Sequence, residues 1–401
     1  MHPKHNRLIP MIFLVCALLL ISGLAKAEKT IVLTFTGDCT LGSEESTRAK
    51  EDSFDSLAAA KGYDYFFANF REMFEQDDHT IINFEGVLSD SRGQEYLKKR
   101  YRFRGPTEFV KILTGSSVDA CSLSNNHIGD FGKQGEESTK ATLEENGIGW
   151  FQNYKYYVYE KEGIKIAFIA LENKIVYNEF DKVKKLIQNL KETGEANAVV
   201  VCWHTGLEYR GAHETNTERT SQALVRYGAD LIIMHHPHVL QGVNIYNNRC
   251  IFYSLGNFVF GGNSAIRTEK FKLDQTVTSL YSAVVQARLT FTNDGRYLGQ
   301  QMVIYPVYTS SAAPVNNYQP YRANAEEAEA VRAALQEDTA FELPEITAGP
   351  DGLSRIELSY LAAFDNVEIP EGESEGPQGV PEAASPAPTR NTKGISGGSG
   401  L

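Results

Sequence analysis

Hydrophobic runs that close with polar residues recur along the chain. Six of them, from "TIVLTFTGD" near the start to "CIFYSLGNFVF" past the middle, have the nearly uninterrupted apolar composition of strands buried on both faces. Each run ends in residues that can bind a metal ion or form hydrogen bonds. These residues are Asp38, Glu85, Asn125, Asn126, His127, His204, His236, His238 and Asn257.

Amphipathic helices are predicted between several of these strands. Apolar residues recur at three- and four-residue spacing from Phe180 to Leu190 in a segment that stops at Gly194, and similar segments stop at Gly147 and Gly228. The alternation of strand and helix predicts an α/β fold. In layered α/β folds the ligand crevice lies outside the carboxyl ends of the strands, so the polar residues are expected to converge.

The pattern changes after about Ser264. The segment "LYSAVVQARLTFTNDGRYLGQQMVIYPVY" alternates apolar and polar residues on both sides of Asn293-Asp294-Gly295, which predicts an antiparallel hairpin. A late helix, "AEEAEAVRAALQE", follows. We assign this C-terminal third to completing the fold, because it offers no candidate chemistry.

Residues 1–27 have the pattern of an export signal. Lys4 and Arg7 precede an apolar core at residues 8–24, and the segment closes with the A-x-A pattern of residues 25–27. The core is slightly long for a cleaved signal and slightly short for a spanning helix, so a retained membrane anchor is the alternative. Both interpretations place the folded part outside the cytoplasmic membrane.

The other end of the chain, residues 365–401, is rich in Pro, Gly, Ser and Glu and poor in large apolar residues. Such a segment buries too little surface to offset its ordering entropy, which predicts a disordered tail. Residues 28–364 are therefore the predicted folded part.

Charge and cysteine content narrow the function classes. The formal net charge is -12, and basic residues do not form a stripe interleaved with exposed aromatics, which argues against nucleic acid as a partner. An anionic substrate would then need a local positive centre such as a metal ion.

Cys39, Cys121, Cys202 and Cys250 lie in or beside apolar runs, which favours buried thiols over a disulfide framework.

The residues at the strand ends include a mixed set of metal ligands. Two carboxylates, one amide and three imidazoles suit one or two divalent ions such as zinc, manganese or iron, and a carboxylate from a separate strand is suited to bridging two ions. Histidines at a strand end can also face solvent or bond a neighbouring loop, so the pattern alone does not settle the site. The candidate ligands are Asp38, Glu85, Asn126, His204, His236 and His238.

Other polar residues are candidates for catalysis or substrate binding. His127 directly follows the candidate ligand Asn126, where it can act as a general acid, and Asp130 can orient it. Arg104 can hold a substrate carboxylate or phosphate, although a solvated surface role fits equally well. Asn125 and Asn257 are candidates for substrate binding, and turn backbone is the alternative partner for both.

The motifs as a set resemble a known family. "GD" at 37–38, "NFEG" at 83–86, "SNNH" at 124–127, "WHTGLEY" at 203–209, "HHPHVLQG" at 235–242 and "SLGNFVF" at 254–260 resemble the CapA family of capsule and poly-γ-glutamate synthesis proteins, over roughly residues 30–310. That family is similar in turn to calcineurin-like metallophosphoesterases. The resemblance implies a metallophosphoesterase-like four-layer α-β-β-α sandwich with two metals at the strand ends.

The resemblance carries over to individual residues unevenly. It places Asn126 and His127 on the phosphoesterase Asn-His pair, and it places Asp38 on the first aspartate. His204, His236 and His238 match its other histidines. Thr40, however, stands where the phosphoesterases carry a second ligand histidine, and Glu85 stands where they carry a bridging aspartate.

Two functions are compatible with the sequence. The first is an exported metal-dependent hydrolase, in which metal-bound water attacks an amide or ester of an anionic polymer or its precursor. The second is a non-catalytic component of capsule or poly-γ-glutamate export that uses its metal to hold polymer carboxylates. Membrane-bound synthesis or export proteins are the expected partners in both cases.

Overall fold

The computed structural model describes residues 28–261, 278–313 and 315–363. The signal or anchor predicted for residues 1–27 and the tail predicted for residues 365–401 lie outside the described residues. Among the described residues, no helix is both long enough and apolar enough to cross a bilayer.

Strands dominate the part of the chain that the structure describes. In chain order they are β1 Glu28–Cys39, β2 Ser43–Glu44, β3 His79–Phe84, β4 Val87–Leu88, β5 Phe103–Gly105, β6 Ala120–Ser122, β7 Gly149–Phe151, β8 Tyr157–Lys161, β9 Ile164–Glu172, β10 Ala198–His204, β11 Leu231–His235, β12 Leu240–Tyr246, β13 Arg249–Leu255, β14 Tyr281–Thr292, β15 Tyr297–Tyr308, β16 Tyr321–Arg322, β17 Thr347–Ala348, β18 Ser354–Glu357 and β19 Leu361–Ala362.

The helices lie mainly between strands, as the alternating pattern predicts. They are α1 Phe54–Lys61, α2 Arg71–Gln76, α3 Val110–Thr114, α4 Gly132–Glu145, α5 Asn173–Asn178, α6 Phe180–Glu192, α7 Thr215–Arg226 and α8 Ala325–Glu337. The α/β class predicted from the sequence is confirmed. Both the amphipathic segment starting at Phe180 and the late helix occur where the sequence predicts them.

The strands form two large sheets and one small one. The first has the order β17-β18-β15-β14-β1-β3-β6-β7, with β16 and β19 also paired to β15, and the second has the order β12-β13-β11-β10-β9-β8. A third sheet contains β2, β5 and β4. The strands β14 and β15 pair antiparallel with each other, and β14 pairs antiparallel with β1, so the C-terminal third extends the first sheet.

The two large sheets share a buried hydrophobic cluster. Leu33 and Phe35 from β1 belong to the same cluster as Phe168 from β9, Val200 from β10 and Ile233 from β11. All five side chains are at most 1% exposed. The sheets therefore pack face to face, and the apolar side chains between them hold the two sheets together.

Helices cover the outer faces of both sheets. A second cluster joins residues of β3 and β6, such as Ile82 and Cys121, to apolar side chains of α1, α2, α3 and α4. A third joins Val201 of β10 and Ile232 of β11 to α5, α6 and α7, with Ile187 as one contact. Because strands buried on both faces need apolar residues at every position, their runs do not alternate.

The strands that carry the candidate site run parallel. In the first sheet β1 pairs with β3, and β3 with β6; in the second, β10 and β13 both flank β11. Register places Asp38 beside Asn83 and His204 beside His235. The six apolar runs noted in the sequence thus supply three parallel strands to each large sheet. Within each sheet, the carboxyl ends of these three strands lie at the same edge.

The four cysteines in the described part of the chain do not form disulfides. Cys39, Cys121, Cys202 and Cys250 are buried free thiols, as the sequence predicts. Burial raises the pKa of Cys39 and of Cys250 to about 12, so both thiols stay protonated at neutral pH.

Candidate metal centre

The two sheets meet where the candidate residues lie. The backbone N–H of Asp38 at the end of β1 donates to the carbonyl of Gly256 after β13, at 2.9 Å, and the N–H of Phe258 donates back to Asp38 at 2.8 Å. The approach is close enough that a Cβ on Gly37 would lie 2.2 Å from the Gly256 oxygen. Glycine is therefore required at position 37. Because glycine has no side chain, the backbone of Asp38 can reach the second sheet.

Glu85 is the centre of the cluster. Its side chain is fully buried, and its Oε1 lies 3.3 Å from Nε2 of His204. The same oxygen lies 3.8 Å from Nε2 of His127 and 3.8 Å from Nε2 of His238. Three imidazole nitrogens from three different loops or strand ends thus surround one carboxylate oxygen.

Several atoms of this cluster have no hydrogen-bond partner among the described residues. These buried atoms without a partner are both carboxylate oxygens of Glu85, Nε2 of His204 and Nδ1 of His236. An unpaired carboxylate in a low-dielectric interior costs several kcal/mol or more. Desolvation accordingly raises the pKa of Glu85 to about 7, although the imidazoles of His238 and His127 favour its charged form. A bound cation would satisfy these atoms.

The cluster contains two overlapping sets of possible metal ligands. Glu85, His236 and His238 form one set, and Asp38, Glu85 and His204 form the other; within each, the donor atoms lie within 4.8 Å of one another. Glu85 belongs to both, which suits a bridging carboxylate. Imidazole nitrogens and carboxylate oxygens fit zinc, manganese or iron, so the donor set fits the divalent ions predicted from the sequence.

Hydrogen bonds fix the His238 ring. Its Nδ1–H donates to Oδ1 of Asn257 at 2.9 Å and lies 3.2 Å from Oδ2 of Asp38, so Nε2 is the nitrogen directed toward Glu85. Burial alone would lower the pKa of His238, but the carboxylates of Glu85 and Asp38 raise it to about 10, so a metal ion bound at this ring would have to displace the Nε2 proton. Burial also opposes ionisation of Asp38, yet the bond from His238 holds the pKa of that carboxyl well below its usual range.

His204 and His236 are held as neutral imidazoles. Burial lowers the pKa of both rings well below the ordinary value. Neutral imidazole is the form that binds a metal ion. The backbone at His236 has φ 103° and that at His238 has φ 58°, values rare outside glycine. Such local strain is typical of functional sites, and here it aims two side chains from one tight loop at the cluster.

His127 is held by a second hydrogen-bonded group. Its Nδ1–H donates to Oδ2 of Asp130 at 2.7 Å, while Nζ of Lys99 lies 2.8 Å from the other Asp130 oxygen. Lys99 also donates to the backbone carbonyl of Asn126 at 2.6 Å. The ring of Phe103 packs on His127, with 4.6 Å between centroids. These contacts leave Nε2 of His127 as the nitrogen that faces Glu85.

The structure brings most predicted site residues together, and Asn126, Asn125, Arg104 and Asn257 differ in burial and in protein partners. Asn126 is exposed, whereas Asn125 is buried and donates to the carbonyl of Phe84 at 2.7 Å. The Arg104 guanidinium donates to Glu45 at 2.8 Å and to the Ser89 carbonyl at 2.7 Å. Asn125 and Arg104 are therefore bonded to protein groups in this structure. Asn257 accepts from His238 through Oδ1, but its Nδ2 is buried without a hydrogen-bond partner among the described residues.

Thr40, which the resemblance sets in the position of a phosphoesterase histidine, has a local partner. Its hydroxyl oxygen accepts a hydrogen bond from the backbone N–H of Gly261, and its side chain is fully buried. The hydroxyl therefore contributes to holding the loop after β13 rather than to the ligand sets described above.

Sequence reasoning missed Lys99 and the aromatic wall of the cluster. Phe260 packs on His238 with 4.9 Å between centroids and contacts Phe103 at 5.6 Å. The run Lys98-Lys99-Arg100 in an acidic chain was a signal for Lys99, but a basic run is usually solvated. Nothing in the local pattern marks the two phenylalanines, because their contacts come from separate segments.

Comparison with known proteins gives two curated relatives from Bacillus. "Capsule biosynthesis protein CapA" of Bacillus anthracis is 30% identical over 259 residues, which covers 59% of this chain and 61% of that protein. "PGA biosynthesis protein CapA" of Bacillus subtilis (strain 168) is 28% identical over 329 residues, which covers 77% of this chain and 81% of that protein. The chain thus spans less than two thirds of the first relative's length.

A solved structure is also similar in part. It is described as a hypothetical protein from Thermus thermophilus and is 16% identical, covering 69% of this chain and 99% of that one, with a TM-score of 0.40. A likeness at that score carries no argument about function.

A family model matches more than half of the chain. The family is described as "Bacterial capsule synthesis protein PGA_cap", and the match covers residues 32–262. This range contains every candidate metal ligand, from Asp38 to His238, and the catalytic candidates His127 and Asp130. The resemblance drawn from the six motifs is confirmed: the chain belongs to the bacterial capsule synthesis protein PGA_cap family.

Proposed function

We propose that this protein is an exported, metal-dependent hydrolase that cleaves an amide or ester bond in an anionic polymer, or its precursor, during capsule or poly-γ-glutamate synthesis. The names of the two Bacillus relatives indicate the process. Membrane-bound synthesis or export proteins are the partners in this proposal. A metallophosphoesterase-like four-layer sandwich belongs to it as well, supported by the facing sheets and their helix-covered outer sides.

The unpaired carboxylate of Glu85 carries the proposal. A fully buried acid with both oxygens lacking partners and three imidazole nitrogens 3.3 to 3.8 Å from one of those oxygens is unstable unless a cation completes the group. A divalent ion held there would polarise the bond to be cleaved and acidify a water molecule. One or two ions would be held by Asp38, Glu85, His204, His236 and His238. Asn126, which is exposed in this structure, is a sixth proposed ligand.

The chain's own residues supply proton transfer and positioning. When both ring nitrogens of His127 are protonated, the ring is placed to donate the Nε2 proton to the leaving group while its Nδ1–H stays bonded to Asp130. That bond fixes the tautomer and the ring orientation. Phe103 and Phe260 limit the access of water beside His127 and His238.

A second function is favoured by the departures from the phosphoesterases. Thr40 stands in place of a ligand histidine, and its hydroxyl is bonded to Gly261. A centre with fewer ligands can still attract carboxylates without cleaving anything. In this alternative the protein is a metal-dependent component that holds the polymer during assembly or export.

Incubation of the full chain with poly-γ-glutamate separates the two functions. With zinc, manganese or iron(II) supplied, we expect the polymer to shorten, as measured by size-exclusion chromatography and by newly formed amino termini. Removing the metal with a chelator should stop the reaction, and returning it should restore the rate.

Polymer that binds but keeps its full length under every metal supplement would reject the hydrolase and leave the alternative. If the polymer neither binds nor shortens, both functions are wrong.

A further inference from the structure

The segment 92–104 has a charge opposite to that of the whole chain. It contains six basic residues and one acidic residue, Glu95, whereas the formal net charge of the protein is -12. Much of the segment is exposed, although it ends in the buried strand β5. A local positive patch on an acidic protein attracts anions over roughly one Debye length, about 8 to 10 Å.

This basic segment is fastened to the loop that carries His127. The N–H of Tyr96 donates to the carbonyl of Asp130 at 2.8 Å, and the N–H of Phe103 donates to Oδ2 of Asp130 at 2.9 Å. Between these two anchors, Lys99 reaches Asp130 and the Asn126 carbonyl. The exposed residues of the segment therefore lie beside the candidate catalytic group rather than on a remote surface.

The basic side chains fall into two groups. Arg92 and Arg102 are paired with Glu95, at 2.7 Å each, and Arg104 is paired with Glu45 at 2.8 Å. Lys99 is paired with Asp130, so each of these four cations has a carboxylate partner, with Glu95 shared by two of them. They shape the segment but leave little charge for a ligand.

Lys98 and Arg100 form the other group. Both are exposed, and among the described residues neither takes part in an ion pair that the structure shows. The sequence pattern did not indicate basic residues interleaved with exposed aromatics, but the structure exposes such a stretch here. Tyr96 is 55% exposed, Leu97 is 74% exposed and Tyr101 is 47% exposed. Uncompensated cations interleaved with large apolar side chains suit a ligand that has both carboxylates and methylene groups.

We propose that residues 96–101 are the surface that binds the anionic polymer and delivers it to the centre, with Lys98 and Arg100 contacting polymer carboxylates. Tyr96, Leu97 and Tyr101 pack against the methylene groups of its repeating units. A glutamyl polymer has both features. This inference rests on the proposed function and adds to it the place where the polymer is held.

The test is a charge reversal, Lys98→Glu with Arg100→Glu, in the metal-loaded full chain. We expect its affinity for fluorescently labelled poly-γ-glutamate to fall by about tenfold or more, since two screened attractions become repulsions. The salt dependence of binding should become shallower, and metal content should stay unchanged. The polymer concentration for half-maximal turnover should rise while maximal turnover is retained.

The matched control is Lys185→Glu with Arg219→Glu, which reverses one lysine and one arginine exposed on α6 and α7. It changes the net charge equally but should leave polymer affinity near the wild-type value. An equal loss in both variants would show a general charge effect and overturn the inference.

Other outcomes separate this inference from the proposed function. Wild-type binding that the segment variant retains in full overturns the inference alone. Binding that depends on the segment but never leads to shortening keeps the inference and rejects the hydrolase. Equal competition by single-stranded DNA would overturn the assignment to a carboxylate polymer, and no polymer binding by the wild type would overturn both proposals.

Discussion

Replacing both His236 and His238 with alanine is expected to remove most of the divalent metal that the protein retains. The two residues supply two of the three side chains in one ligand set. Without them, Glu85 would have only His204, His127 and Asp38 as neighbours in the cluster. After exposure to zinc or manganese and desalting, wild type should carry one or two ions per chain, as measured by elemental analysis. The double variant should carry close to none.

A control variant tests whether imidazoles bind metal without the centre. His213 stacks on Tyr253 and bonds to Asp338, away from the ligand sets, so His213→Ala should retain the wild-type metal content. Thermal unfolding of each variant would show whether it is folded. A folded double variant that carries as much metal as the wild type would contradict the assignment of these two histidines.

Replacing His127 with alanine is expected to lower turnover by about 10²–10⁴-fold, the usual range for loss of a general acid. Metal content should remain near that of wild type, because His127 lies outside both ligand sets and only its Nε2 faces Glu85. Steady-state rates on poly-γ-glutamate and elemental analysis of the same preparation measure the two quantities.

Asp130→Asn provides a companion variant. It keeps the size of the side chain but weakens the acceptor for Nδ1–H, so it should lower turnover less than His127→Ala does. Full activity of His127→Ala would exclude the general-acid role. If His127→Ala instead lost its metal, His127 would belong to the ligands.

The strand ends of the site could be predicted because their signal is local. A strand buried on both faces needs apolar residues throughout, so Asp38, Glu85 and His204 are conspicuous where each run closes. The rule that ligands gather at carboxyl ends then brings these residues together without any knowledge of sheet order. The helix from Phe180 to Glu192 could be predicted for the same reason, because its apolar spacing is also a local signal.

The partition of the strands between two sheets could not be predicted in the same way. Whether β1 pairs with β3 or with β13 depends on packing between distant segments, and a single sequence does not contain that comparison. The neighbouring residues Asn125 and Asn126 illustrate the limit at the site. Both are ligand-type amides, but only the fold buries Asn125 against Phe84 and leaves Asn126 exposed.

Lys99 illustrates a third kind of limit. Its role depends on three contacts, with Asp130, His127 and the Asn126 carbonyl, that lie about thirty positions further along the chain. A lysine in a basic run ordinarily extends into solvent, so composition alone assigns it no partner. The fold turns that run over the His127 loop and creates the contact.

The central claim is that Glu85 lies at a divalent metal centre, and anomalous diffraction tests it most directly. Crystals of the full chain grown with zinc or manganese should give an anomalous peak about 2.0 to 2.3 Å from an oxygen of Glu85 and from at least two imidazole nitrogens of His204, His236 and His238. Data collected on both sides of the absorption edge would identify the element. An anomalous map with no peak near Glu85, in crystals where the side chains of the cluster are well ordered, would contradict the claim.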